Sequence, residues 1–290
     1  MRKYTFTSKK SLKRNPMRFE IVNDIRAFDD ESTNNYFMRE NCCDTISDYL
    51  AIQENQNIVN LEVVGLNNEE ISAIILGNKS TLQTVSIISE DLNDLSDFTH
   101  CNALKSLKVL SNANTITLFN CANNGSLKSL FLELPKCESL INLNGLENAL
   151  IEELKIVGYE RKFPDLTPFA FTDLSFLKSL TNLKQLSIYS HFDIDKYTLL
   201  NFFASLSSLT ELNLPKDCFT FKQFAWLSSK LEGVKGLSAF LNYYKNFQKD
   251  IIMFVIIGSD TPDVEDETPL VEEYEYLKEE YKKVNKPPIE

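Results

Sequence analysis

The sequence predicts an α/β fold: a curved parallel β-sheet built from about seven or eight repeated units, with a cap region before it and a strand and a helix after it. The first observation behind this prediction is a hexamer whose first, fourth and sixth residues are apolar and which recurs along most of the chain. The second is the interval between copies, which is 22 to 26 residues except for one of 32. The third is that some segments between copies have apolar residues at helical spacing.

Seven clear copies of the hexamer follow one another, and a degenerate eighth, LEGVKG, begins at Leu231. The clear copies begin at Ile58, Leu82, Leu104, Leu127, Ile151, Leu183 and Leu209. Alternation of apolar and polar residues within each copy indicates a strand with one buried face. The pattern L-x-x-L-x-L at this interval resembles the leucine-rich repeat superfamily over roughly residues 57–240. The resemblance implies a solenoid whose anchor residues stack inward, and the parallel-crossover rule makes it right-handed.

One feature of the superfamily is largely missing from this sequence. Its members carry Asn or Cys at the ninth position of the motif, where the side chain bonds backbone groups between turns. Here Asn112 is the only residue that fits. We therefore expect irregular turns or local water in place of an asparagine ladder.

Residues 1–56 are predicted to form an N-terminal region that ends in a capping helix. Thr45 and Asp48 resemble a capping box at the start of residues 45–55, where Ile46, Tyr49 and Leu50 supply apolar contacts. Such a helix would cover the first repeat of the solenoid, which otherwise exposes its core.

Between the hexamers, two segments favour helices. Residues 67–78 place Ile71, Ile74 and Ile75 on one face, and residues 195–207 do the same with larger apolar side chains. Residues 111–125 show no such spacing and are predicted to be irregular or β-like.

The long interval contains an insertion at residues 159–173. It holds two prolines, Arg161, Lys162 and three phenylalanines. Insertions in repeat proteins emerge as loops, often on the binding side, so we expect this loop either to pack on the scaffold or to contact a partner.

Residues 241–290 are predicted to form the C-terminal cap. The apolar run at residues 251–257 indicates a buried strand, and an acidic amphipathic helix follows it. The apolar face of this helix consists of Leu270, Tyr274, Leu277, Tyr281 and Val284. We expect that face to cover the last repeat, and a docking role for another chain is the alternative.

Composition narrows the function classes. A net charge of −11 argues against nucleic-acid binding, which needs a basic face. No apolar run has the length of a signal peptide or a membrane span, which predicts a cytoplasmic protein without membrane contact. The six cysteines contain no C-x-x-C pair and are interpreted as reduced.

No catalytic or cofactor-binding arrangement is visible. His100 beside Cys101 is interpreted as a loop histidine next to a core cysteine, because adjacent residues rarely face one another. His191 near Asp193 and Asp195 is interpreted as a solvated loop, with partner contact as the alternative. The 8 glycines include no phosphate-binding loop, so we expect no enzyme activity, cofactor or metal.

The resemblance implies binding through the concave sheet, at the strand positions between the anchors. Phe131, Tyr159, Tyr189 and His191 would then form an aromatic strip near charged residues, an arrangement typical of binding hot spots. The alternative is that loops or the C-terminal helix bury these residues. The predicted partner-binding residues are Lys108, Phe131, Glu133, Glu153, Lys155, Tyr159, Gln185, Tyr189, His191 and Glu211.

The sequence therefore predicts a non-enzymatic protein-interaction scaffold that binds a protein partner. Because this protein carries a net negative charge, a basic partner is favoured. Neutralisation of a basic toxin, as by an immunity protein, is one form of this hypothesis. A secreted effector or surface recognition protein is the second hypothesis, and an enzyme with an unrecognised site is the third. The partner's identity and the oligomeric state are not determined by the sequence.

Overall fold

The computed structural model describes residues 35–39, 58–158, 169–246, 251–260, 266 and 268–289. The predicted helix at residues 45–55, the adjacent cysteines at 42 and 43, and insertion residues 159–168 lie outside this part of the chain. Among the described residues, no helix has the length and apolar content needed to cross a membrane.

The dominant element is a parallel sheet of eight strands. Seven of its strands fall in the seven clear hexamers, one in each, and β1 pairs with the first of them. In sheet order they are β1 (Asn35–Arg39), β2 (Asn60–Val64), β3 (Thr84–Ser89), β4 (Ser106–Ser111), β6 (Ser129–Glu133), β8 (Glu153–Val157), β10 (Gln185–Tyr189) and β12 (Glu211–Asn213). The prediction of a mixed α/β fold with a parallel sheet is confirmed.

Equivalent anchor residues of neighbouring hexamers lie side by side in the sheet. Leu107 pairs with Leu130, and Leu130 pairs with Leu154. In the seven clear hexamers the fourth and sixth residues are all buried, and Leu130 and Leu132 are 0% exposed. Because full burial of such a side chain stabilises a fold by about 1.5–3 kcal/mol, these rows dominate the stability of the sheet.

A second layer covers the buried face of the sheet. Short helices with a buried apolar face run between the strands, and their side chains join those of the sheet in one core. The α-helices of this layer are α1 (Asn68–Asn78), α2 (Lys196–Ala204) and α3 (Phe221–Lys230). The 3-10 helices are Ser96–His100, Cys121–Asn123, Leu143–Leu146 and Ser175–Ser179.

Two small parallel pairs complete this layer. The first consists of β5 (Thr115–Thr117) and β7 (Ser139–Ile141). The second consists of β9 (Ala170–Phe171) and β11 (His191–Phe192). The β-like character predicted for residues 111–125 is thus confirmed at β5.

The two predicted helices between hexamers are present as α1 and α2. Asn67 caps α1, since its side chain accepts from the Glu70 backbone amide while the Glu70 carboxylate accepts from the Asn67 amide. Asp195 caps α2 by accepting from the backbone amide of Thr198 at 2.9 Å. Such caps satisfy amides that have no partner within the helix.

Buried serines bond the backbone one position before the ninth motif residue, where an asparagine was expected. The hydroxyls of Ser89 and Ser111 donate to the carbonyls of Leu66 and Leu92 at 2.8 and 2.7 Å. Ser190 donates in the same way to the carbonyl of Phe169 at 2.5 Å. Each serine is the eighth residue of its motif, one position earlier than the expected asparagine. Hydroxyls therefore link these three turns to the preceding segment, and the expected irregular turns or water are not needed there.

The degenerate eighth hexamer does not form a strand. Lys235 makes only an isolated bridge with Glu211 of β12. The hexamer begins where α3 ends, and α3 was not foreseen from the sequence. Large apolar residues of α3 fill the space beneath the end of the sheet, with Phe224 and Trp226 at 0% and 2% exposure.

The C-terminal segment contains an antiparallel pair and a helix. The pair is β13 (Phe240–Asn246) and β14 (Ile251–Ile256), and the helix is α4 (Thr268–Tyr281). Tyr274 of α4 is 0% exposed and donates its hydroxyl to the carbonyl of Leu237 at 2.8 Å. Its ring also packs edge-on against Phe221, with the centroids 5.3 Å apart.

Most of the predicted apolar face of α4 therefore packs against the core, with Tyr274 fully buried. Leu270, Leu277 and Tyr281 contact the core, while Val284 is exposed. Trp226 of α3 donates its indole N–H to the carbonyl of Val284 at 3.1 Å, which joins the two helices.

Candidate functional site

The face of the eight-stranded sheet that points away from the core is called the open face here. Successive side chains of a strand alternate between faces, so the third, fifth and seventh hexamer residues lie on it. The first row contains Asn60, Thr84, Ser106, Ser129, Glu153, Gln185 and Glu211. The middle row contains Glu62, Ser86, Lys108, Phe131, Lys155, Ser187 and Asn213. The third row contains Val64, Ile88, Leu110, Glu133, Val157 and Tyr189.

Phe131 lies in the centre of the middle row, on β6, and is half-buried. Its register partners on the two neighbouring strands are Lys108 and Lys155. The Nζ atoms of these lysines lie 5.1 and 4.5 Å from the centroid of the Phe131 ring. Both distances are within the roughly 6 Å range of a cation–π interaction, so the two lysines and the ring form one cluster.

Neither lysine of this cluster is neutralised by a carboxylate in the described part of the chain. No Asp or Glu oxygen there lies within the 4.0 Å of an ion pair from either Nζ atom. By contrast, Lys128 and Lys184 both pair with Glu152, at 3.3 and 2.6 Å. The cluster therefore presents two positive groups that retain hydrogen-bonding capacity.

The glutamates of the open face are partly engaged by polar neighbours. Ser129 donates to Glu153 Oε2 at 3.0 Å, across the boundary between β6 and β8. Asn213 donates to Glu211 Oε1 at 2.7 Å and to the Ser187 hydroxyl at 3.1 Å. These carboxylates keep free lone pairs and can accept bonds from a ligand.

The predicted aromatic strip is divided between different parts of the structure. Tyr189 is on the open face but lies two strands and one row away from Phe131. Burial raises the pKa of Tyr189, and the charge of Glu211 adds to the effect. His191 belongs to β11 and pairs with β9 outside the eight-stranded sheet. Tyr159 lies outside the described residues.

Of the remaining predicted residues, Glu133 and Glu153 lie near the cluster, whereas Glu211 lies three strands from Phe131. Glu133 is two residues beyond Phe131 on β6, and Glu153 is two residues before Lys155 on β8, so both share its face. Gln185 is exposed and lies between Glu153 and Glu211 in the first row. The structure thus places Lys108, Phe131, Lys155, Glu133 and Glu153 together.

A charged ladder at the start of the strands was not foreseen. Glu152 bridges Lys128 and Lys184, which bond it and hold the pKa of its carboxyl below the usual range, with Lys184 the larger influence. These residues border a shallow depression together with Ser129, Glu153 and Gln185. All three ladder residues stand at the second position of their hexamers. Charged residues at that position were therefore the signal in the sequence for this ladder. Glu152 engages both lysines, which leaves their ammonium groups less available to an external ion.

The thiols near this sheet are poor nucleophiles. Cys101 is 0% exposed, and burial raises the pKa of its thiol to about 12, with the charge of Asp97 contributing. Burial also raises the pKa of Cys121 to about 12. Since the thiolate is the reactive form, neither residue is poised for catalysis near neutral pH. In the described ranges, no three His, Cys, Asp or Glu side chains converge as a metal site would require.

Comparison with known proteins gives no relative from which function could be transferred. No model of a known protein family matches the chain. A search of curated proteins likewise finds no match. The geometry of the open face is therefore the basis on which function is inferred.

Proposed function

We propose that the protein is a leucine-rich-repeat solenoid that acts as a non-enzymatic, cytoplasmic protein-interaction scaffold. It binds a protein partner through the open face, together with the insertion at residues 159–173. The regular recurrence of one hexamer per strand supports the solenoid. Repeat proteins of this type present extended surfaces suited to binding other proteins.

The observation that carries this proposal is the cluster of Lys108, Phe131 and Lys155. An aromatic ring held by flanking charged residues, in the middle of a broad face, is the arrangement found at binding hot spots. The cores of protein–protein interfaces are enriched in aromatic residues relative to the rest of the surface. The half-buried apolar third row offers further contact area beside the cluster.

Charge favours a partner that is basic overall. The chain carries a net charge of −11, and the open face contributes Glu62, Glu133, Glu153 and Glu211. Opposite net charges accelerate association and disfavour wrong partners. Neutralisation of a basic toxin by an acidic immunity protein is the form of this function that best fits the charge.

The test is a pull-down from the source cells with tagged protein, followed by mass spectrometry. A Phe131→Ala/Tyr189→Ala variant removes two aromatic side chains of the open face. A Tyr197→Ala/Tyr276→Ala variant is the control, because these tyrosines are 46% and 65% exposed but lie on α2 and α4. Circular dichroism establishes that both variants are folded.

We expect a stoichiometric partner that is retained by the wild type and the control and lost from the open-face variant. Loss of about 2 kcal/mol per hot-spot residue corresponds to roughly thirtyfold weaker binding for each. Retention of the partner by the open-face variant would contradict the proposed site. Absence of any stoichiometric partner would contradict the proposed function.

A further inference from the structure

We infer that the cluster of Lys108, Phe131 and Lys155 binds one carboxylate side chain of the partner, and that basic residues flank this carboxylate in the partner. The inference rests on the proposed function and specifies the chemistry of the group that the open face recognises. An acidic residue of the partner would thus bind at the centre of the open face, although this protein is acidic overall and the partner is basic overall.

The first argument is the positive charge held at one ring. Both ammonium groups lie within 5.1 Å of the Phe131 ring centroid, and no carboxylate of the described residues neutralises them. Cation–π contacts contribute only about 0.5–1 kcal/mol at exposed sites and leave both charges able to attract an anion. A carboxylate at the edge of the ring would be attracted by both ammonium groups and could accept a hydrogen bond from them.

The second argument is the charge distribution of the ring. The face of a phenyl ring is negative and its edge is positive. Because the ammonium groups of Lys108 and Lys155 lie over the ring of Phe131, the ring edge remains for a partner. The edge and the ammonium groups both favour an anion at the same place.

The third argument is the surroundings of the cluster. Two glutamates share the open face with the cluster. Glu133 lies two residues after Phe131 on β6, and Glu153 lies two residues before Lys155 on β8. They would repel a second carboxylate of the partner and attract its basic side chains. The surface is thus complementary to a single acidic residue among basic ones, and it discriminates against uniformly acidic segments.

Other lysines of the sheet lack these properties. Lys105 donates to Gln83 Oε1 at 2.8 Å, and Lys128 pairs with Glu152. Both belong to the hexamers of β4 and β6, close to the cluster in sequence. Lys105→Gln/Lys128→Gln therefore removes the same charge from the same region and serves as a matched control for Lys108→Gln/Lys155→Gln.

The test selects binders to the full-length protein from a random peptide library displayed on phage. We expect the enriched peptides to share one Asp or Glu next to Lys or Arg. Titration calorimetry then compares the most enriched peptide with its Asp→Asn or Glu→Gln version. We expect about tenfold weaker binding from removing the carboxylate, and a similar loss in Lys108→Gln/Lys155→Gln but not in the control variant.

A double-mutant cycle connects the two changes. If the peptide carboxylate meets the lysines, its removal has little further effect in Lys108→Gln/Lys155→Gln. Additive losses, enriched peptides without a carboxylate, or no enrichment at all would overturn the inference. Peptides that need Phe131 but carry no carboxylate would overturn it while leaving the proposed function standing, which the cellular pull-down tests separately.

Discussion

Hydroxyl groups of buried serines join successive segments of the molecule at the scale of single residues. Ser111 is 0% exposed and donates to the carbonyl of Leu92, and its oxygen accepts from the amide of Ala113 at 3.1 Å. The side chain thus satisfies the buried carbonyl of Leu92 and the partly buried amide of Ala113.

Replacement of this hydroxyl gives a direct prediction. We expect Ser111→Ala to lower the free energy of unfolding by about 1–3 kcal/mol, because it leaves buried polar groups without a partner. Urea denaturation followed by circular dichroism measures the change. Ser86→Ala, on the open face, is the control and should stay within about 0.5 kcal/mol of the wild type. Equal stability of all three proteins would show that the buried hydrogen bond contributes nothing.

The candidate site shows how far single residues could be predicted. The hexamer alignment places Lys108, Phe131 and Lys155 at equivalent positions, and parallel pairing without a register shift made them neighbours. Their contact over the ring could not be predicted, because side-chain rotamers depend on the neighbouring strands. His191 lies past the end of β10, where the chain leaves the sheet and enters β11. The alternation of faces applies only within a strand, so it could not predict where the His191 side chain lies.

At the scale of elements, α4 contributes one deeply buried residue beside an exposed one of the same type. Tyr274 is 0% exposed, whereas Tyr276 is 65% exposed. Burial raises the pKa of Tyr274, so its phenol stays protonated and donates to Leu237. The pair offers a comparison within one helix.

We expect Tyr274→Phe to destabilise the protein by about 1–2 kcal/mol, because the carbonyl of Leu237 loses its donor in a site closed to water. Tyr276→Phe removes the same atom from the surface and should change stability by less than about 0.5 kcal/mol. Thermal unfolding and hydrogen exchange of α4 distinguish the two. A larger loss from Tyr276→Phe would contradict the packing of this helix.

Elements were predictable where a pattern repeated. Seven strands follow from seven copies of one hexamer, and α1 follows from its isoleucine spacing. The helix α3 was missed because Trp226 and Leu227 extend its apolar surface beyond the face of Phe221 and Phe224, which obscures the helical spacing. A local signal was present, since Thr220 and Gln223 form a capping box at its start.

At the scale of the whole molecule, the C-terminal segment covers apolar surface at the end of the sheet. Phe221 packs against Tyr274, and Trp226 bonds the backbone beyond α4. Lys230 adds a bond from its Nζ atom to the carbonyl of Tyr281 at 3.0 Å. These contacts join α3 to the middle and the C-terminal end of α4.

A chain that stops after Asp260 should therefore expose the apolar face of α3. We expect it to bind the dye ANS, to unfold at a lower temperature and to aggregate at concentrations where the full chain is monodisperse. Phe131→Ala in the full chain is the control, because it changes a surface ring without uncovering the core. Unchanged unfolding of the shortened chain would show that α4 is dispensable for the fold.

The order of strands in the sheet has a consequence for synthesis of the protein. From β3 onward, each strand of the main sheet is hydrogen-bonded to the strand supplied by the preceding hexamer. A ribosome delivers the hexamers in the same order, so each new strand finds its template already outside the exit tunnel. Pairing partners separated by little more than one interval close quickly, and no strand has to wait for the end of the chain. The sheet can therefore form strand by strand during translation, and α3 and α4 pack against one another after β12 has been added.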